Sequence, residues 1–337
     1  MPAPDTPVLD VAGLRVEFPT RRGTLTAVHD VSFSIAPGEV LGVVGESGAG
    51  KSLTGAAIIG LIDPPGRIAA GEIRLAGRRI DNLPYDVMRT VRGREIGAVF
   101  QDPLTSLNPL YTVGRQLVET IRTHLPMSEA EARARAVGLL EEVGIPAAAR
   151  RIDHYPHQFS GGMRQRVVIA LALAAKPKLI VADEPTTALD VSIQAQIIQL
   201  LKRLCREHDT AIMLVTHDMG VIAETADRVA VMYAGRIVEI GPVSDVIHRP
   251  QHPYSVGLMG SIPSIVDERD RLTQIDGAMP RLTAIPAGCA FHPRCPHAFD
   301  RCRHERPELM AAGGTRAACW LRIGGAIAPA AAGVEAM

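Results

Sequence analysis

Gly45-Glu46-Ser47-Gly48-Ala49-Gly50-Lys51-Ser52 stands directly behind the apolar run Val40–Val44 and ahead of a helical pattern over residues 53–61. No other stretch restricts the possible folds so sharply. The order G-x-x-x-x-G-K-[ST] between a buried strand and a helix is that of a phosphate-binding loop. Its glycines permit a tight turn whose N–H groups face an anion, and the helix N-terminus adds a favourable dipole. Lys51 is expected to reach the terminal phosphates and the Ser52 hydroxyl to ligate Mg²⁺. The chain has only four lysines, so coincidence is a poor explanation.

The surrounding pattern agrees. Val31, Phe33 and Ile35 alternate with polar neighbours, as in a half-buried strand. Short apolar runs recur at residues 96–100, 179–182, 212–215 and 229–232, like strands buried on both faces. Between them Ile193, Ile197, Leu200, Leu201 and Leu204 share one helix face. Ala132, Ala136, Leu139, Leu140 and Val143 share another, behind a capping box that opens at Ser128. Strands alternating with helices predict an α/β fold with a mostly parallel sheet, and residues 112–149 read as a helical insertion. After about residue 250, prolines interrupt every periodicity, and residues 323–337 read as a loose tail.

Composition narrows the class. Thirty-six basic residues balance 36 acidic ones, which excludes the broad basic footprint of a nucleic-acid binder. The longest apolar run, residues 167–175, is far short of the roughly 20 residues of a spanning helix. Residues 1–5 lack the basic and apolar regions of a secretory signal, so a reducing cytosol is expected.

Two further segments carry chemistry. The strand pattern at residues 179–182 ends in Asp183-Glu184: the first acid suits the Mg²⁺ shell opposite Ser52, the second could polarise an attacking water. Ser160-Gly161-Gly162 opens a long apolar helix, a second anion-binding helix end far from the first. With these segments in place, residues 8–250 resemble the ATP-binding-cassette ATPases. The resemblance implies a RecA-like P-loop NTPase with an antiparallel β region, a helical part at about 102–160, and ATP and Mg²⁺ as cofactors. In that family Ser160-Gly161-Gly162 is similar to the signature loop, with Met163 where Gln is usual. Gln101 resembles the glutamine that senses Mg²⁺, Ala188-Leu189-Asp190 the D-loop, and His217 the switch histidine beside the γ-phosphate. Phe18 is the candidate to stack on adenine, against the reading of an ordinary strand aromatic. Such a chain is half of a nucleotide sandwich and needs a partner ATPase.

The resemblance narrows at residues 101–109, 154–162 and 288–296, which are similar to the ATPases that drive bacterial dipeptide and oligopeptide import, with nickel and opine importers as near relatives. It implies a second related ATPase, two membrane permeases and an extracytoplasmic binding protein, with this subunit at the cytoplasmic face of the inner membrane. A soluble, non-transport cassette ATPase is the alternative. Residues 251–322 form the extension of that subfamily and hold Cys289, Cys295, Cys302 and Cys319. Four thiolates can bind a metal centre, and their spacing lacks the close pairs usual at zinc. Zinc and unligated thiols stay open on spacing alone; the resemblance implies a [4Fe–4S] cluster. His292, His297 and His304 lie among them, and Cys205 reads as a lone structural thiol.

Overall fold

The computed structural model describes residues 6–186, 190–260 and 275–322. From the N-terminus the chain runs β1 (Leu9–Thr20), β2 (Gly23–Ile35), β3 (Val40–Val44), α1 (Lys51–Ile58), β4 (Arg67–Leu75), β5 (Arg78–Arg79), α2 (Tyr85–Val91) and β6 (Ile96–Val99). A helical stretch follows: α3 (Pro103–Ser106), α4 (Val113–His124), α5 (Glu129–Glu142), α6 (Ala148–Arg151) and α7 (Gly161–Leu173). Alternation resumes with β7 (Leu179–Asp183), α8 (Val191–His208), β8 (Ala211–Val215), α9 (Met219–Thr225), β9 (Arg228–Tyr233) and β10 (Arg236–Pro242). The C-terminal part adds α10 (Val243–His248), α11 (Pro253–Gly260), α12 (Asp300–His304), β11 (Met310–Ala312) and β12 (Thr315–Ala317).

Two sheets organise these elements. One is antiparallel, in the order β2-β1-β4-β5; the other has eight strands in the order β11-β12-β10-β9-β3-β8-β7-β6. The five strands from β9 to the β6 edge, β9-β3-β8-β7-β6, pair in parallel, and β10, β12 and β11 continue the sheet antiparallel. The expected α/β class with an antiparallel region and a helical insertion is therefore what forms.

Period-2 geometry explains why the central strands read as unbroken apolar runs. Val40, Val44, Ile180, Ala182, Ile212 and Leu214 face one core, which they share with α4, α5, α7 and α8. Leu41, Val43, Leu179, Val181, Met213 and Val215 face the other, shared with α1 and the antiparallel sheet. Successive side chains point to opposite faces, and both faces are covered.

The helices keep their expected faces. Ser128 closes a capping box with Glu131 at the start of α5, and Ala132, Ala136, Leu139 and Leu140 are buried below it. Ile197, Leu200, Leu201 and Leu204 of α8 are buried with Cys205, whose thiol donates to carbonyls of Gly38 and Thr210.

The C-terminal part is tied to the large sheet by one fully buried carboxylate. Glu239 on β10 accepts from the N–H groups of Gln251 and His252, at 2.8 and 2.9 Å, and from the Thr315 hydroxyl at 3.0 Å. A buried charge is tolerated only when its lone pairs are used in this way. The start of α11 and the β11–β12 hairpin are thereby held against the same strand.

Candidate functional site

The carboxyl ends of the parallel strands converge, the usual place for a ligand in such sheets. After β3 comes the phosphate loop. Gly45 has φ 152°, and a Cβ there would meet the Met232 carbonyl oxygen at 2.2 Å, so only glycine fits. Gly50 caps α1 in the left-handed region (φ 101°) with no side chain bonded to the helix N–H groups. A helix start without a side-chain cap leaves its first N–H groups available, which is what an anion site requires.

Lys51 is buried, and its Nζ donates to the carbonyls of Gly45 at 2.8 Å and Glu46 at 3.1 Å. Burial holds its pKa below the usual lysine range, while Glu184, Asp183 and Glu46 push it upward. Beside it the Ser52 hydroxyl donates to Asp183 Oδ1 at 2.9 Å, bringing together two oxygen donors from the ends of α1 and β7. Burial raises the Asp183 pKa, which Ser52 and Lys51 oppose. A hydroxyl and a carboxylate in contact form an oxygen-only donor set, which fits Mg²⁺.

Glu184 is the next residue. Its backbone sits at φ 47°, an unusual conformation for a residue with a Cβ, held by an N–H bond to the Val215 carbonyl at 2.8 Å. Such local strain collects at functional sites, where the surroundings enforce it. Its two carboxylate oxygens face two partners. Gln101 Nε2, just beyond β6, donates to Oε2 at 3.2 Å, and His217 Nδ1, just beyond β8, lies 3.1 Å from Oε1. Three strand ends thus aim a glutamate, a glutamine and a histidine at the side of the loop where Lys51 and Ser52 sit.

The remaining expected residues lie elsewhere. Ser160 caps α7, its hydroxyl accepting from Met163 N–H at 3.4 Å, and Ser160 and Gly161 are exposed. Gly162 packs α7 on α8, since a Cβ there would meet Ile193 Cγ2 at 2.6 Å. Among the described residues no hydrogen bond or ion pair joins Ser160, Gly161 or Gly162 to the phosphate loop. Asp190 caps α8 without a side-chain bond to it. Ala188 and Leu189 lie outside the described residues. Phe18 lies on β1 opposite Leu25, and its ring edge comes within 2.5 Å of where a Cβ of Gly66 would stand.

Cys289, Cys295, Cys302 and Cys319 are unpaired, and all line one cavity of about 10 Å³. Burial pushes the Cys289 and Cys319 thiols up to about 11 and raises Cys295 as well, and the neighbouring thiols add to each shift. Among the described residues no three His, Cys, Asp or Glu side chains close around a point that would hold a single metal ion. The four thiols share one cavity, which His252, His292 and His297 also line. His292 Nδ1 is bonded to the Cys289 carbonyl, and His304 pairs with Asp300.

Sequence reasoning missed the contacts behind the loop. Arg294 Nη1 donates to both carboxylate oxygens of Glu46 at 3.0 Å, and Glu46 N–H donates to the Tyr254 hydroxyl at 2.8 Å. An arginine set between two cysteines in a proline-broken run carries no periodic signal that could have pointed there.

Comparison with known proteins agrees with this geometry. The family described as ABC transporter matches residues 28–187, and the one described as oligopeptide/dipeptide transporter, C-terminal region, matches residues 238–302. The oligopeptide transport ATP-binding protein OppD of Salmonella typhimurium is 49% identical over 95% of this chain and 95% of its own. The dipeptide transport ATP-binding protein DppD of Escherichia coli is 47% identical over 93% of this chain and 96% of its own. Among solved structures, the ATP-binding cassette MJ0796, a post-hydrolysis dimer with ADP and Pi, is 30% identical. It superposes with a TM-score of 0.62 over 70% of this chain and 98% of its own.

Proposed function

The chain belongs to the ATP-binding subunits of ABC-type oligopeptide and dipeptide transporters, and from that premise we propose that Glu184 activates the water that hydrolyses ATP held on Gly45–Ser52. The observation carrying this is the meeting of Gln101, Glu184 and His217 beside Lys51, Ser52 and Asp183.

The subunit is an ATPase that drives a peptide importer. In the proposed mechanism the loop N–H groups wrap the phosphates, and Lys51 exchanges its carbonyl partners for phosphate oxygens. Ser52, Asp183 and Gln101 would hold Mg²⁺, and the ion would supply neutralisation of the charge developing on the phosphate oxygens. Glu184 accepts a proton from the attacking water, and His217 Nδ1 keeps the carboxylate turned toward it. Ser160-Gly161-Gly162 of a second ATPase covers the phosphates, with Asp190 at the same junction. Closure of the two subunits on ATP and their release after hydrolysis form the two-state switch that a transporter needs. Phe18 is assigned to the adenine.

Within this reading residues 8–250 are the nucleotide-binding unit, 102–160 its helical part and 251–322 the extension. Residues 323–337, read as a tail, lie outside the described residues. Among the described residues no helix is long and apolar enough to cross a membrane, which suits a subunit docked on two permeases at the cytoplasmic face. A related ATPase and an extracytoplasmic binding protein complete the assembly, and no nucleic acid takes part. For the four cysteines we assign a [4Fe–4S] cluster, supported by the four thiols that line one cavity.

The test is Glu184→Gln in the assembled transporter. ATP is retained and turnover falls about 10²–10⁴-fold, the range of a lost general base. Normal hydrolysis by that variant would remove Glu184 from the mechanism.

A further inference from the structure

The second residue of the phosphate loop is an acid, which is an odd neighbour for a polyphosphate. A carboxylate at Glu46 repels the nucleotide unless something neutralises it. The neutralising group comes from the far end of the chain. Arg294 stands on the single turn His292–Arg294, between Cys289 and Cys295, and its side chain is 7% exposed. Nη1 donates to both oxygens of Glu46 at 3.0 Å. The other nitrogens are fixed on backbone carbonyls: Nε on Asp276 at 2.8 Å, Nη2 on Ile275 at 3.2 Å and Gly277 at 3.3 Å. A guanidinium anchored at three carbonyls has little freedom, so it holds the carboxylate rather than following it.

A second contact reinforces the first. Tyr254, fully buried on α11, accepts the Glu46 N–H at its hydroxyl at 2.8 Å. Its ring lies 4.7 Å from that of Tyr233 on β9 and 5.4 Å from that of Phe291, a packed aromatic group whose three members come from three parts of the chain. Glu46 is therefore gripped at its N–H and its carboxylate by residues beyond the cassette proper, one position after Gly45 and five before Lys51.

We propose that Arg294 and Tyr254 are positioning residues of the phosphate loop, through which the cysteine-bearing segment sets the affinity for nucleotide. Neither touches the reacting atoms. They hold Glu46 in place and cancel its charge, so that the loop N–H groups meet the phosphates preorganised. The inference rests on the reading of Gly45–Ser52 as the nucleotide site, and the experiment separates the two.

ATP binding and ATP hydrolysis are both measured on the assembled transporter carrying Arg294→Gln, Tyr254→Phe, Glu46→Gln, the Glu46→Gln/Arg294→Gln pair, or Lys51→Ala. Arg294→Gln raises KM for ATP about tenfold and leaves kcat at saturating ATP within about twofold, as loss of ground-state positioning requires. Tyr254→Phe, which keeps the ring and loses the hydroxyl, raises KM about threefold. The double variant is no weaker than Arg294→Gln alone, because both changes remove the same contact. A lower melting temperature with unchanged KM in Arg294→Gln would reduce it to a fold anchor and overturn the proposal, as would Glu46 and Arg294 effects that multiply. If Arg294→Gln does not fold, Tyr254→Phe decides, and an unchanged KM refutes the positioning role. Loss of ATP binding in Lys51→Ala beside unaffected Arg294 and Tyr254 variants defeats only this inference. Normal binding in Lys51→Ala defeats the nucleotide site itself.

Discussion

Replacing Gly45 by alanine tests the loop with a single methyl group. At φ 152° the added Cβ would stand 2.2 Å from the Met232 carbonyl oxygen and 3.2 Å from the Ala49 Cβ. Ordinary contact begins near 3.4 Å, so about 1 Å of separation must be found between the loop and β9. Strand β9 cannot supply it cheaply, because it pairs with β3 on one side and β10 on the other. The backbone strain costs about 1–2 kcal/mol. Overpacking adds about 1–3 kcal/mol. Together they amount to about 2–5 kcal/mol, read by urea denaturation of the full chain. A displacement of about 1 Å at a phosphate-binding loop costs roughly 100-fold in rate, read as ATP hydrolysis in the assembled transporter. Stability within about 0.5 kcal/mol of the parent, together with hydrolysis within about threefold, would show that the loop is not confined as described.

Gly162→Val drives a branched side chain toward Ile193 Cγ2, 2.6 Å from the first added carbon, and costs about 1–3 kcal/mol by forcing α7 from α8; a melting curve reads it. His29 sits at about 4, lowered first by burial and then by Arg236 and Arg15. The unfolded chain takes up that proton as pH falls through the ordinary value of 6.5, the folded chain only near 4. Stability present above 6.5 is thus lost progressively toward 4. Partial exposure limits the loss at pH 5 to about 1 kcal/mol, and His29→Gln flattens that part of the pH–stability curve. The proposed cluster predicts that protein purified without oxygen will be brown with about four irons per chain, lost in Cys302→Ser; one zinc per chain and no iron would contradict it.

Legibility followed the range of the interaction. The phosphate loop, the both-faces-buried strands and the helix faces all obey local periods, so residues 40–52, 179–184 and 193–204 were readable from spacing alone. The capping box at Ser128 is a three-residue relation and was equally plain. Glu239 gave no such signal, because its partners Gln251, His252 and Thr315 are ordinary residues brought to it by folding. Strands β11 and β12 have three residues each, too short for alternation to show, yet they extend the main sheet. The Arg294–Glu46 pair spans 248 positions. Only the folded chain shows that the cysteine-bearing segment touches the phosphate loop.

Everything in the mechanism turns on an active site shared between two ATPases, and the hydrolysis rate per chain as a function of concentration addresses it most directly. Full-length protein is diluted stepwise in Mg²⁺ and ATP, with and without the companion ATPase, beside a Ser160→Arg variant. A shared site gives a rate per chain that vanishes on dilution, returns when the companion is added, and requires an intact Ser160 on the covering subunit. A constant, brisk rate at high dilution, indifferent to Ser160 on either subunit, would contradict it.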